Sequence, residues 1–210
     1  MKRNFILIFL SLVLLTGMVC ILYSGRVQTD LAQNVVRLHI LANSDSDEDQ
    51  SLKLAVRDRI LKEGRNLFDG STSKEQTEQI LSANIDFLKT AASDEISKNG
   101  FSYPVNIEIG SYDFPMKQYE NYAFPAGKYD AVKIEIGEAK GHNWWCVMFP
   151  PLCFVDAAVS EEPQSVEAFK KNLSPDELDI ITTDSGVDIR FKVVDMVQSS
   201  LYSIKTALKK

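Results

Sequence analysis

The chain opens with an uncharged, strongly apolar run, Phe5 to Tyr23, after which the hydrophobic pattern changes period several times. From Val35 to Ala42 the period is two. Val36, Leu38, Ile40 and Ala42 share one face, Arg37 and His39 the other, so a strand is predicted. The polar stretch NSDSDEDQ (Asn43 to Gln50) then yields to a helical stripe of Leu52, Ala55, Val56 and Ile60, which Gly64 is placed to stop. A second helix is predicted over Lys74 to Lys98, with Ile80, Ile85, Leu88 and Ala92 inward and Asn99-Gly100 at its end. Alternation returns in YPVNIEIG (Tyr103 to Gly110) and KYDAVKIEIG (Lys128 to Gly137), the signature of strands with one buried face. The turn-rich stretch between them, with Pro115, Pro125 and Gly127, has room for another short strand. WWCVMF (Trp144 to Phe149) is a further strand, which Pro150-Pro151 must end.

After Asp156 the composition shifts. SEEPQ reads as a linker, and short helices are predicted from Ser165 and from Ser174. At the latter, Ser-Pro-Asp-Glu combines an N-cap, a first-turn proline and acidic residues. A last helix carries Val194, Val197, Leu201, Ile204 and Leu208 at three-four spacing. The order predicts an α+β fold: a mostly antiparallel sheet with a helix pair packed on one face, an N-terminal membrane or signal segment, and C-terminal helices. The expected division is a membrane or signal segment over 1–25, a linker over 26–34, an α+β domain over 35–156, and a linker with a helical extension over 157–210.

Composition sharpens the reading of the ends. Lys2 and Arg3 precede the apolar run, which favours a cytoplasmic N-terminus and export of the remainder. The run is either an uncleaved anchor or a signal peptide. Its best small-residue cleavage site, Tyr23-Ser24-Gly25, carries a bulky tyrosine. With Lys2 and Arg3 set aside, the net charge of −6 becomes −8. An acidic body argues against nucleic acid and against adsorption on anionic lipid.

Candidate chemistry is sparse. Asp45, Asp47 and Asp49 match the first calcium-loop positions, but Gln50 stands where glycine is needed and Val56 where glutamate is needed. Ser46 as a helix cap, with acidic residues in the first turn, explains the same stretch. The histidines are His39 and His142. His39, on a strand's polar face, reads as a hydrogen-bonded surface residue. A thiol dyad of Cys146 with His142, near Asn143, would need a bend, because residues four apart on a strand lie about 13 Å apart. No resident metal or cofactor is implied.

GHNWWCVMFPPLCFVD (Gly141 to Asp156) concentrates both tryptophans, two of three cysteines and a proline pair. Trp144 and Trp145 must point to opposite faces of a strand, one toward the core and the other toward solvent, a loop or a partner. Cys146 and Cys153 form an even pair for an oxidising compartment. A bridge would close a loop of about eight residues, worth roughly 2.5 kcal/mol. The segment reads as a rigid, apolar, stapled loop suited either to core packing or to docking.

RLHILANSDSDEDQSLKLAVRD (Arg37 to Asp58) resembles the opening signature of the stage II sporulation protein R family. YPVNIEIG and FPAGKYDAVKIEIGEAKGHNWWCVMFPPLCF follow in that family's order, so the resemblance covers about Val35 to Asp156. It implies a non-catalytic signal that the forespore exports into the space between the forespore and mother-cell membranes. There it would activate a membrane-embedded aspartic-type protease, which processes the precursor of sigma factor E in the mother cell. By this analogy the contact surface is sought among His39, Asn43, Asp45, His142, Asn143, Trp144, Trp145, Phe149, Pro150, Pro151 and Phe154. Two other readings compete: a cell-wall glycan module stacking sugars on Trp144 or Trp145, and a small thiol hydrolase using Cys146.

Overall fold

The computed structural model describes residues 2–68, 71, 73–119, 122–150, 152 and 171–182. The SEEPQ linker, the helix start at Ser165 and the last predicted helix lie outside the described residues.

Helix α1 (Lys2–Asn34) contains the apolar run. Its large apolar side chains from Phe5 to Val19, and again at Leu22, are 51% to 76% exposed. Among the described residues no helix is long and apolar enough to cross a membrane. Residues 26–34 are not the expected linker but the last turns of this helix. Leu31 is fully buried, and Asn34 Nδ2 donates to Glu177 Oε1 at 2.6 Å.

The chain passes directly into β1 (Val36–Leu41), an inner strand of a four-stranded sheet ordered β2-β5-β1-β6. β2 (Val105–Phe114) pairs antiparallel with β5 (Gly127–Ile136), and β6 (Asn143–Phe149) antiparallel with β1. β1 and β5 run parallel, the exception in a mostly antiparallel sheet. A separate hairpin joins β3 (Lys117–Tyr119) to β4 (Tyr122–Phe124).

Three helices, not two, follow β1. Ser46 caps α2 (Asp47–Leu67), its hydroxyl accepting from Asp49 N at 3.2 Å, as the sequence predicts. Gly64 does not stop α2. It is buried one turn before the end, where its carbonyl accepts from Phe68 N. The second predicted helix divides at Asn84 into α3 (Lys74–Ala83) and α4 (Ile85–Lys98). Asn84 Nδ2 donates to Ile80 O at 2.8 Å, a local side-chain bond that competes with the helical ladder. Near the described end, α5 (Pro175–Ile181) carries the predicted cap as a full capping box between Ser174 and Glu177.

The helices bury one sheet face. Leu52, Val56, Ile60, Leu88 and Ile96 meet Leu38, Ile40, Ile107, Val132 and Ile134. The opposite face is split. At the end where β5 begins, Leu31 of α1, Phe124 of β4 and Ile181 of α5 cover Phe114, Tyr129 and Val147. At the other end Asn106, Glu108 and Asn143 are exposed, and Lys133 and Glu135 half-buried. Single-face burial therefore holds for only half of the sheet. This corrects the reading of β1: Arg37 is fully buried and His39 is 7% exposed, not a surface residue.

Candidate functional site

β1 and β6 bring the two most distinctive stretches of the sequence side by side. Their register pairs Leu38 with Cys146, His39 with Trp145, Ile40 with Trp144 and Leu41 with Asn143. Alternation then sends Trp144 to the helical face and Trp145 to the opposite one. Neither is fully buried. The Arg57 guanidinium of α2 stands 5.2 Å from the Trp144 ring. Trp145 stacks on His39, with centroids 3.6 Å apart, and meets Phe114 edge-on at 4.7 Å.

His39 Nε2 lies 2.7 Å from Asn143 Oδ1; since the amide oxygen accepts, the imidazole proton sits on Nε2. Burial lowers the His39 pKa. The Asn143 bond opposes the shift, neighbouring Lys133 adds to it, and Glu135 opposes it. The ring is thereby held neutral, suited to hydrogen bonding and stacking.

One residue deeper, Arg37 lies among aromatic rings. Its guanidinium carbon is 4.5 Å from the Phe114 centroid, 5.0 Å from Tyr129 and 5.1 Å from Phe124. Arg37 Nε donates to Cys146 O at 2.9 Å and Nη2 to Tyr119 Oη at 3.0 Å. Among the described residues Nη1 has no hydrogen-bond partner. Burial lowers the Arg37 pKa, against the pull of Tyr119 and Tyr129. The group ties the hairpin to the sheet. Sequence reading missed it, because Arg37 alternates with Val36 and Leu38 and so falls on the strand's polar face.

At the far end of β1 the loops interlock. Asp45 Oδ1 accepts from His142 N at 2.6 Å and lies 2.5 Å from His142 Nδ1. Both side chains are more than half exposed, so the pair is a surface clasp. Asn43 Oδ1 accepts from Glu138 N at 2.9 Å, and Asn43 Nδ2 donates to Asp49 Oδ2 at 2.8 Å. Asp49 is buried and also accepts from Ser44 and Tyr103. Burial would raise its pKa, but the bonds from Ser44, Asn43 and Tyr103 outweigh that and lower it. Lys53 Nζ reaches across to His142 O at 3.0 Å. Asp49, Lys53 and Tyr103 were not foreseen as parts of this junction. The contacts of Lys53 with His142 and of Asp49 with Tyr103 span distant parts of the chain, and no spacing rule connects them.

His39, Asn43, Asp45, His142, Asn143, Trp144 and Trp145 thus belong to one continuous region. Phe149 and Pro150 do not. They sit buried at the opposite end of β6, joined by a cis peptide bond. Pro151, Cys153 and Phe154 lie outside the described residues. The thiol dyad is not assembled: His142 is engaged by Asp45, while Cys146 is buried and disulfide-bonded. A disulfide sulfur is no nucleophile.

The region coincides with a recognised family. The model of the family described as Stage II sporulation protein R matches residues 32–159. The chain belongs to that family. The Stage II sporulation protein R of Bacillus subtilis (strain 168) is 34% identical over 188 residues, covering 82% of this chain and 84% of that protein. No solved structure matches. The family description names a sporulation stage and no reaction. The matched residues include all of β1 to β6 and the whole loop junction.

Proposed function

We propose that this protein is an exported sporulation signal. It activates a membrane-embedded aspartic-type protease, which then processes the sigma-E precursor in the mother cell. One observation carries the reading: the two stretches most typical of the family, Arg37–Asp58 and Gly141–Phe154, meet across β1 and β6. Their junction is hydrogen-bonded, partly exposed and built for recognition. His142 has no nucleophile hydrogen-bonded to it among the described residues; Asp45 holds its Nδ1. The signal acts by binding, without an active site of its own. It shifts the protease toward its active state by holding that state more tightly than the inactive one.

Export rests on α1. A helix with apolar side chains exposed along most of its length is costly in water and at home in a bilayer. Residues 5–23 serve either as an anchor or as a signal removed on export, with the body in the space between forespore and mother cell. The disulfide of Cys146 is assigned to Cys153, in keeping with an oxidising exterior. For the glycan reading, His39 already occupies one face of Trp145 and the Arg57 guanidinium lies over the Trp144 ring.

The test is reconstitution in a non-sporulating host with the protease and the precursor. Precursor cleavage that requires this chain and its export is the expected result. Absence of cleavage with all three proteins present and correctly located would refute the reading.

A further inference from the structure

Asn99 is the one asparagine of the chain that is followed by glycine. The pair ends α4, and both residues are exposed. An asparagine in front of glycine is chemically reactive. The peptide nitrogen of the glycine can attack the side-chain amide carbon, because no Cβ shields it. An N–C bond forms, the bond from that carbon to Nδ2 breaks, and the amide nitrogen leaves as ammonia. Water then opens the resulting five-membered imide at either carbonyl. The product is aspartate, or isoaspartate, in which the main chain runs through the former side chain. Water is the sole co-reactant.

The fold holds the reacting parts out of line. Gly100 N donates to Ser97 O at 3.0 Å, and Phe101 N to Ile96 O at 3.1 Å. These are the two bonds of a Schellman turn, with Gly100 in its left-handed position at φ 84°. The attacking nitrogen is therefore engaged. So is the leaving amide: Asn99 Nδ2 donates to Glu95 O at 2.8 Å and to Glu95 Oε1 at 3.1 Å. Asn99 has ψ 7°, whereas ring closure must swing Gly100 N round toward the side chain. Reaction thus requires the last turn of α4 to open. Helix ends are where such opening costs least.

This helix end is tied to the loop junction. Phe101 packs on the helix-side core and stacks on Tyr103, with centroids 5.3 Å apart. Tyr103 donates to the buried Asp49, which Asn43 and Ser44 also hold. Isoaspartate at position 99 would lengthen the backbone by one methylene and displace both Schellman donors. Either product puts a negative charge beside Glu95, at the end of the helix dipole that disfavours anions. The product loosens the turn that protects the site, and with it the support that Phe101 and Tyr103 give to Asp49.

We infer that Asn99–Gly100 is a self-modification site: a deamidation clock gated by the last turn of α4 and coupled through Phe101 and Tyr103 to the Asp49 junction.

The test ages full-length protein in mild detergent at mildly alkaline pH, both folded and in concentrated urea. Peptide mapping separates asparagine, aspartate and isoaspartate at each position. In urea, Asn99 should deamidate several-fold faster than any other asparagine. In the folded protein its own rate should be several-fold lower than in urea. Urea below the unfolding transition should leave that folded rate nearly unchanged, because a fraying turn exposes little surface. Asn99 reacting no faster than other asparagines in urea overturns the site. Equal rates in folded and unfolded protein overturn the gate, as does a folded rate that climbs with urea in step with global unfolding. Protein enriched in isoaspartate at position 99 should exchange amide hydrogens several-fold faster at Phe101 and at Glu138, whose N–H is held by Asn43 Oδ1. Faster exchange confined to residues 99–101 overturns the coupling and leaves the clock standing.

Discussion

His39 lies flat against Trp145, with ring centroids 3.6 Å apart and planes 12° from parallel. The stack joins the centre of the sheet to its β6 edge, and a second bond from His39 to Asn143 locks it. Burial disfavours the imidazolium, so the folded pKa lies below the ordinary value of 6.5. Above that ordinary value the contribution to stability is complete. As the pH falls below it, the unfolded chain takes up a proton that the folded one resists, and stability is lost. Thermal melts at pH 7.5 and 5.0 should therefore differ less for His39→Gln than for the parent. At pH 7.5 the variant should itself be weaker by about 0.5–1.5 kcal/mol for the lost stack. An unchanged pH response would place the sensitivity elsewhere.

Gly141 and Gly127 look alike in sequence and should behave oppositely. A Cβ on Gly141 would stand 2.1 Å from the backbone oxygen of Ser44, and backbone cannot step aside. A Cβ on Gly127 would first meet the Gln28 side chain, which can rotate away at the loss of its bond to Lys128 O. Gly141→Ala should cost about 2–4 kcal/mol and loosen the Asp45–His142 clasp, as strain at a fixed backbone position does. Gly127→Ala should stay within about 1 kcal/mol. Urea unfolding of the two variants checks this directly.

Arg37 is a buried cation among rings, without a carboxylate at hydrogen-bond distance among the described residues. Arg37→Ala removes the packing against Phe114, Phe124 and Tyr129 and the bond to Cys146 O, for a loss of about 2–5 kcal/mol. Arg37→Met keeps most of that packing and removes Nη1, which has no partner among the described residues, so its loss should be nearer 1–2 kcal/mol. Calorimetry should rank the parent above Met and Met above Ala. Methionine falling as low as alanine would mean that the hydrogen bonds, not the packing, hold the hairpin.

Periodicity revealed the strands because their helix-facing residues alternate without exception, from Val105 and Ile107 to Val132 and Ile134. The cap at Ser46 was equally legible, since it is a local bond. What failed was anything that depends on a distant element. His39 looked like a surface residue because the sequence does not say that Phe114 and Trp145 will close over it. Residues 26–34 looked like a linker because α1 gains its hold through Gln28, Leu31, Ala32 and Asn34, whose partners lie on distant elements. The candidate site was legible as two unusual stretches. Their union through Asp45 and His142 was not, because β1 and β6 are joined by tertiary register alone.

The proposed Cys146–Cys153 bridge has a direct chemical consequence. Intact exported protein should show no alkylatable thiol at either position and should gain two after reduction. Cys153→Ser should lower stability by roughly 2.5 kcal/mol, the closure entropy of a loop of about eight residues. Recovery of both thiols in unreduced exported protein would refute the pairing.

The clasp itself separates folding from signalling. Asp45 and His142 are more than half exposed, and an exposed pair is worth at most about 1 kcal/mol. In a chain of this size that corresponds to roughly 2–4 °C of melting temperature. Asp45→Ala and His142→Ala should therefore fold, export and melt almost as the parent does. If the clasp is a contact point for the protease, each should reduce precursor cleavage at least several-fold. The loss should be no larger in the double variant than in His142→Ala, because Asp45→Ala only unties a ring that His142→Ala removes outright. Full cleavage by the double variant would move the contact surface away from this end of the sheet. A melting temperature lowered by ten degrees or more would instead mean that the pair is structural, and the loss of cleavage would then carry no information about contact.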